Sequence, residues 1–318
     1  MRLLVTWKDL NDEDLQRIAD ETQATILKGF TDEEALEFAP EADVILGGAA
    51  TVSVLARAVN CSWMQTPFAG VESILAAPWG NPNMILTNGR GTFGPNISEH
   101  VLGLLLSFNR GLHLARDNQN KKVWQPRLPI PFRELTGSTV AILGYGDIGR
   151  NVAKRLSGFD CKVLGFKQHP SSTGEGPEEN VYAIHRFAEF LGSIDYLVCA
   201  LPETEKTIGF LDADYLKRLP KHAIVINVGR GSLIPTGDLI QALERQWIAG
   251  VGLDVTYPEP LPEDSPLWSM PNVIITPHNS GYTRFMKRRV LKIFFHNWEY
   301  FIKTGSPRLN VVNRTLGY

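Results

Sequence analysis

Cysteine is scarce in this chain of 318 residues, with three in all. Cys61, Cys161 and Cys199 are scattered, odd in number and without metal-ligand spacing, which excludes a disulfide framework and a zinc cluster. No metal is expected. Cys161 and Cys199 lie in apolar, strand-like contexts and read as buried thiols of a reducing compartment. An excess of charge is missing too. The formal net charge of −2 gives no global pull toward nucleic acid or anionic membrane. The longest apolar stretch, around Val101–Phe108, is far too short to span a bilayer and is flanked by Glu99 and Arg110. The sequence enters an apolar strand directly at Leu3–Thr6, followed by Lys8, Asp9 and an acidic run, without the hydrophobic core of a secretion signal. A cytoplasmic protein is expected. Internal repeats and low-complexity tracts are absent as well.

What is present is the profile of a soluble globular protein, 43% hydrophobic and 21% charged, long enough for two domains with separate cores. Up to about residue 95, short apolar runs alternate with amphipathic segments. Leu3–Thr6, Ala24–Leu27, Val44–Leu46, Trp63–Thr66 and Met84–Thr87 read as strands; Glu13–Glu21, Asp32–Phe38, Val52–Ala58 and Val71–Ala77 read as helices. That alternation predicts a parallel sheet with helices on both faces. Within it, the turn Thr66–Pro67–Phe68–Ala69–Gly70 either presents backbone N–H groups to a carboxylate or is an ordinary strand–helix connection. The stretch Thr87–Asn96 is dense in turn formers and reads as a domain crossing. Ser98, Val101, Leu104, Leu105, Phe108 and Leu112 then mark a long helix, followed by the polar, Pro-containing segment Asn118–Phe132.

The chain is organised around what comes next. Val140–Leu143 is apolar, as a strand buried on both faces should be. It breaks into Gly144-x-Gly146-x-x-Gly149, and Ile148, Val152 and Leu156 then repeat at helical spacing. Strand, glycine turn and helix in that order are the context of a dinucleotide-binding fingerprint. Gly144 permits the tight turn, Gly146 lets backbone approach a pyrophosphate, and Gly149 lets helix pack on strand. The helix N-terminus offers N–H groups and a positive dipole end to the phosphates. The strand–helix rhythm resumes with strands at Lys162–Phe166, Asp195–Leu201, Ala223–Val228, Ala249–Val255 and Val273–Thr276. A polar loop at Gln168–Asn180 and a helix at Asp238–Arg245 lie between them. A last amphipathic helix runs from Tyr282 to about Ile302, ahead of a polar tail.

Three of these strands end in ionisable residues. Arg230 follows one; Asp254 and Glu259 close another; His278 follows the last. They fall on the sheet edge where open α/β folds bind ligands. The set suits hydride transfer between a nicotinamide and a 2-hydroxy acid. His278 gives or takes the proton, Glu259 beside it favours the imidazolium, and Arg230 forks onto a carboxylate and polarises the adjacent carbonyl.

From Leu135 to Thr283 the chain closely resembles the D-isomer-specific 2-hydroxyacid dehydrogenases. The matching blocks are Gly144–Gly149, Leu201–Thr204, Ile226–Gly231, Gly252–Pro262 and Thr276–His278. Weaker similarity runs through Ala69–Val71, Asn88 and Ser98–His100. The resemblance implies two doubly wound parallel-sheet α/β domains. A Rossmann dinucleotide-binding domain (97–284) is inserted in a flavodoxin-like substrate domain (1–96 and 285–318). It implies that Arg230 binds substrate, Glu259 raises the pKa of His278, and His278 is the acid/base. Ala69 and Gly70 would offer backbone amides to the substrate carboxylate. Cofactor contacts are implied for Gly144, Tyr145, Gly146, Asp147, Ile148, Gly149, Leu201, Pro202 and Val228, with Asp254 holding the nicotinamide carboxamide. A homodimer through the nucleotide domain and the long helix after Ser98 is implied as well, with no nucleic-acid or membrane partner.

Departures from the family pattern narrow the expectation. NAD enzymes place an acidic residue about twenty positions beyond the glycines for the ribose hydroxyls; here the strand ends Phe166–Lys167–Gln168–His169. Lys167 can neutralise a 2′-phosphate, with Gln168, His169 or Ser171 nearby, so NADP(H) is the preferred cofactor and NAD(H) the alternative. Asn279 after His278 either adds a polar contact or reorients the loop, and Phe68 narrows the pocket or packs beneath it, packing being preferred. No other histidine apart from His169 has a partner motif. The expected activity is NADPH-dependent reduction of a small 2-keto acid, glyoxylate or hydroxypyruvate first, to a D-2-hydroxy acid. The alternatives are an NAD(H)-dependent enzyme with a branched 2-keto acid, and a non-catalytic dinucleotide-sensing scaffold. A formate-type dehydrogenase is disfavoured, because that group resembles this chain with Gln where Glu259 stands.

Overall fold

A computed structural model describes residues 1–48, 51–170 and 180–317. It divides into two compact units: Met1–Thr92 with Thr283–Tyr318, and Phe93–Tyr282 inserted between those segments. The joins fall a few residues ahead of 96/97 and 284/285. The reason is local: Gly94 N donates to Asp147 Oδ2 (2.8 Å) and Asn96 Nδ2 to the Ser280 carbonyl (2.8 Å), so both residues already belong to the second unit.

In the first unit, β1 (Arg2–Val5), β2 (Thr25–Lys28), β3 (Val44–Leu46), β4 (Trp63–Gln65) and β5 (Ile85–Thr87) form a parallel sheet ordered β2-β1-β3-β4-β5. This is the flavodoxin-like order. Helices α1 (Asp12–Thr22), α2 (Asp32–Phe38), α3 (Thr51–Val54) and α4 (Glu72–Ala76) connect the strands. Two of them start on capping boxes. Asn11 Oδ1 accepts from Asp14 N (2.9 Å) while Asp14 Oδ2 accepts from Asn11 N (3.1 Å), and Thr31 with Glu34 repeats the pattern. The Thr31 backbone bond holds the Glu34 carboxyl below its usual range. α3 is shorter than the expected Val52–Ala58 helix, because its last turn tightens into a 3₁₀ segment at Leu55–Arg57.

The C-terminal helix spans Met286–Thr304 and starts four residues later than its amphipathic pattern suggests; a turn from Thr283 O to Met286 N (3.1 Å) precedes it. Its Phe294, Trp298 and Phe301 surround the fully buried Trp63 ring at centroid distances of 5.3, 6.2 and 5.2 Å. Trp63 Nε1 donates to Thr87 Oγ1 (2.8 Å), so the ring's polar handle is satisfied inside the core. The polar stretch after this helix is no loose tail. Val312 is buried, its N–H donates to Leu86 O (2.9 Å), and Val311 bridges Thr87 in antiparallel fashion.

The second unit is a seven-stranded parallel sheet of β6 (Thr139–Leu143), β7 (Lys162–Lys167), β8 (Val181–Ala183), β9 (Tyr196–Cys199), β10 (Ile224–Asn227), β11 (Gly250–Leu253) and β12 (Val273–Ile275). Its order, β12-β11-β10-β9-β6-β7-β8, reverses between β6 and β9, the switch point of a Rossmann sheet. Edge strand β8 begins just past the expected polar loop Gln168–Asn180, where no strand is expected, because three half-buried residues carry too short a pattern to register. Side chains on β6 alternate between two cores. Val140 and Ile142 pack with α5 (Gly94–Arg110) and α7 (Asp147–Leu156), and Ala141 and Leu143 with the opposite cluster. Between those helices lies α6 (Leu112–Asn120), which claims the start of the segment expected to be irregular. On the other face lie α8 (Ala213–Arg218), capped by Asp212 Oδ1, and α9 (Thr236–Glu244).

All three cysteines are free thiols. Cys61 and Cys199 are buried, and burial pushes the Cys61 thiol up to about 12 and the Cys199 thiol up as well. Cys161 is only half-buried, since it precedes β7 rather than lying within it; its Sγ donates to Leu135 O (3.2 Å). Native protein at pH 8 should therefore show at most slow alkylation at Cys161. Full reactivity of all three thiols should appear only on unfolding, with iodoacetamide labelling and mass spectrometry as the check.

Candidate active site

Every strand of the second sheet runs in the same direction, so the residues that leave the C-terminal ends converge on one edge. The glycine turn leaves the central strand β6. Gly144 has φ of +97°, and a Cβ there would lie 2.5 Å from the Ala200 carbonyl oxygen. Only glycine meets both demands. Gly149 is buried against the Gly144 backbone, where a Cβ would collide. A Cβ on Gly146, by contrast, meets nothing within 4 Å. Tyr145 lays its ring over Gly165 of β7, and Ile148 is half-buried on α7. The Asp147 carboxylate points away from the turn, to Gly94 N (2.8 Å) and Asn151 Nδ2 (3.1 Å), which leaves its backbone N–H at the helix start.

Lys167 is the last residue of β7. The Phe166 carbonyl before it accepts from Gly144 N (2.9 Å) and Tyr145 N (3.1 Å), so Lys167 springs from beside the glycine turn. Gln168 and His169 follow, exposed; Ser171 lies outside the described residues. Leu201 and Val228 are buried at the exits of β9 and β10, and Gly229 approaches Leu201 so closely that a Cβ would stand 2.7 Å from its carbonyl oxygen. Pro202 is exposed beside them.

Arg230 is half-buried, and its Nη1 donates to the Gly229 carbonyl (2.9 Å). Asn227 secures this loop through Gly229 N (3.1 Å) and the Arg230 carbonyl (2.9 Å). Gly231 abuts the Thr256 backbone, which brings the loop against the segment that carries Glu259. Glu259 Oε1 and His278 Nδ1 are 2.6 Å apart, with side chains 42% and 48% exposed. At such exposure the pair adds little to stability, and its effect is to orient the imidazole.

His278 sits at φ of +50°, a left-handed conformation for a residue with a Cβ. Its N–H donates to Asp254 O (2.8 Å) and Thr276 O (3.0 Å). The Asp254 side chain, 1% exposed, does the rest. Oδ1 accepts from Thr276 Oγ1 (2.6 Å), Asn279 N (3.1 Å) and Ser280 N (3.2 Å), and Oδ2 accepts from Ser280 Oγ. The resemblance assigns this carboxylate to a nicotinamide carboxamide; here its oxygens are engaged by the loop that carries His278. The Asn279 side chain is exposed.

Two groups escaped the motif reading. His100 and Asn96, four apart on α5, bond to Thr276 Oγ1 (3.0 Å) and to the Ser280 carbonyl (2.8 Å). Helical spacing puts them on one face, but nothing in the sequence says what that face meets. In the first unit, Asn88 Nδ2 donates to the Ala69 carbonyl (2.9 Å), Gly89 N to Phe68 O (2.7 Å), and Asn310 Nδ2 to the Asn88 (3.1 Å) and Arg90 (2.6 Å) carbonyls. Ala69 is exposed and Gly70 half-exposed on the turn so held. Phe68 is 41% exposed instead of packed.

Residues 102–280 match the family model "D-isomer specific 2-hydroxyacid dehydrogenase, NAD binding domain". The crystal structure of a D-isomer-specific 2-hydroxyacid dehydrogenase family protein from Aeromonas salmonicida is 36% identical. It covers 98% of this chain and 99% of its own, at a TM-score of 0.88. This chain belongs to the D-isomer-specific 2-hydroxyacid dehydrogenases. The NADPH-dependent glyoxylate/hydroxypyruvate reductase of Sinorhizobium meliloti, solved with NADP and sulfate, is 25% identical at a TM-score of 0.83, covering 100% of this chain and 99% of its own. The glyoxylate reductase of Pyrococcus furiosus is 28% identical over 94% of this chain and 84% of its own length.

The dehydrogenase has a place for the nicotinamide dinucleotide that its family uses. Among the described residues nothing lies within 4 Å of a Cβ at Gly146, which leaves the α7 N-terminus open for the close backbone approach a pyrophosphate needs. Gly146→Val should therefore leave Tm nearly unchanged while weakening dinucleotide binding at least ~10-fold. Gly144→Ala should lower Tm through the strain at positive φ and the clash with Ala200. Thermal melts and a fluorescence titration of cofactor separate the two.

Proposed function

We propose that this dehydrogenase reduces a small 2-keto acid, glyoxylate or hydroxypyruvate in the first instance, to the D-2-hydroxy acid with NADPH. The observation that carries the reading is the Glu259–His278 hydrogen bond of 2.6 Å on the sheet edge that also bears Arg230. The bound dinucleotide supplies the hydride to the carbonyl carbon. His278 delivers the proton to the carbonyl oxygen from Nε2, because Nδ1 is held by Glu259. Arg230, steadied by the Gly229 carbonyl, forks onto the substrate carboxylate and polarises the neighbouring carbonyl. The N–H groups of Ala69 and Gly70 are assigned to substrate binding, and Asp254 keeps His278 in place. The second unit acts as the dinucleotide-binding domain, and the first as the substrate domain.

Support for NADP(H) over NAD(H) is the placement of Lys167 beside the glycine turn, at the strand end where NAD enzymes carry an acidic ribose ligand. Leu112, Val123, Trp124 and Phe132 are exposed apolar side chains on α6 and just beyond it, which favours a homodimer with this region in its interface. Among the described residues no helix is long and apolar enough to cross a membrane, and a cytoplasmic location fits this reading.

Two outcomes test it. His278→Ala should cut kcat roughly 10²- to 10⁴-fold with NADPH affinity retained, by steady-state kinetics and fluorescence titration; most of the activity surviving would remove His278 from this role. kcat/KM should favour NADPH over NADH, and Lys167→Ala should lower the NADPH value roughly 10- to 100-fold while barely touching NADH. A preference of the unaltered enzyme for NADH would sink the cofactor assignment.

A further inference from the structure

We infer that His100, on α5, is a positioning residue for the reaction: through Thr276 and Asp254 it holds the loop that carries His278. The inference rests on the assignment of His278 as acid/base. The chain of bonds has a defined direction. Thr276 Oγ1 has one proton, and it goes to Asp254 Oδ1 at 2.6 Å. Thr276 Oγ1 therefore accepts from His100 Nε2–H at 3.0 Å. Asp254 in turn accepts from Asn279 N and from the N–H and hydroxyl of Ser280, and its carbonyl accepts from His278 N.

His278 needs such support. A non-glycine residue at φ of +50° is strained and persists only where its surroundings over-determine it. Its own side chain is about half exposed and contributes little packing. The restraint comes instead from both ends of the loop. Asn96 takes the Ser280 carbonyl at one end, and His100, one helical turn on, takes Thr276 at the other. α5 is a helix of 17 residues packed on the sheet of the same unit, a rigid base for this grip. His100 Nε2 also lies 3.8 Å from Asp254 Oδ1, close enough to reinforce the acceptor electrostatically.

The experiment compares H100L, H100Q, T276V, the H100L/T276V pair and H278A in the full-length enzyme. It reads kcat, keto-acid KM, NADPH Kd and Tm. H100L should lower kcat roughly 5- to 30-fold, the worth of one such hydrogen bond, with NADPH Kd within about twofold. H100Q, whose amide can donate to Thr276, should recover most of that loss. T276V should match H100L, and the pair should be little worse than either single variant, because both cut one link. Should H100L fail to fold, T276V and H100Q read the same connection. Unchanged kcat in H100L or T276V, equal losses in H100L and H100Q, or additive losses in the pair would overturn the inference. A fully active H278A would instead overturn the acid/base assignment itself, and the inference with it.

Discussion

A carboxylate taken out of water is costly unless its lone pairs are met, and Asp254 is almost wholly buried at the end of β11. Its acceptors are met by one short stretch of chain, Thr276 to Ser280, which must therefore fold back over it. That requirement sets the path of the loop and forces His278 into a left-handed conformation. It also aims the imidazole at Glu259, which arrives from the exit of the same strand that carries Asp254. Removing Asp254 would leave several donors without partners and release the loop, so the Glu259–His278 pair depends on a buried group beyond its own two side chains.

The same economy appears around α5. Its first N–H meets Asp147 at the start of α7, so the beginnings of two helices share one carboxylate, the charge their dipoles favour. Arg155 of α7 reaches back to Glu99 at 3.1 Å and closes the contact a few residues on. α5 thus steadies α7 through Gly94 and Glu99, and Asn96 and His100 steady the loop that carries His278. The start of α7 and the His278 loop are therefore braced by the same helix.

Much of the chemistry was legible from residue order. Parallel strands put all their C-terminal ends on one edge, so Arg230, Glu259 and His278 could be grouped once their strands were recognised, and the glycine spacing named the turn. Lys167 was visible because a lysine replaced the expected acid at a fixed distance from that turn. What stayed hidden was of another kind. His100 and Asn310 lie 176 and 222 positions from the residues they hold, Thr276 and Asn88, and such pairings leave no local pattern. Edge strand β8 and the six-residue α8 are too short for periodicity to build up. Phe68 reads as a packing residue, yet it is exposed, and no local pattern announces that.

By itself, then, the sequence determined the two doubly wound sheets, the family and the glycine turn, and it grouped the candidate ionisable side chains, because each is written in short-range periodicity or in spacing along one chain. Only the tertiary structure decided what each polar group answers to. Asp147 answers to a helix start, Asp254 to a loop, and Asn310 of the C-terminal segment to Asn88, which holds the Ala69 carbonyl. Those choices follow from which donors lie within hydrogen-bond reach of a buried acceptor after folding, and that distance is set by packing rather than by position in the chain.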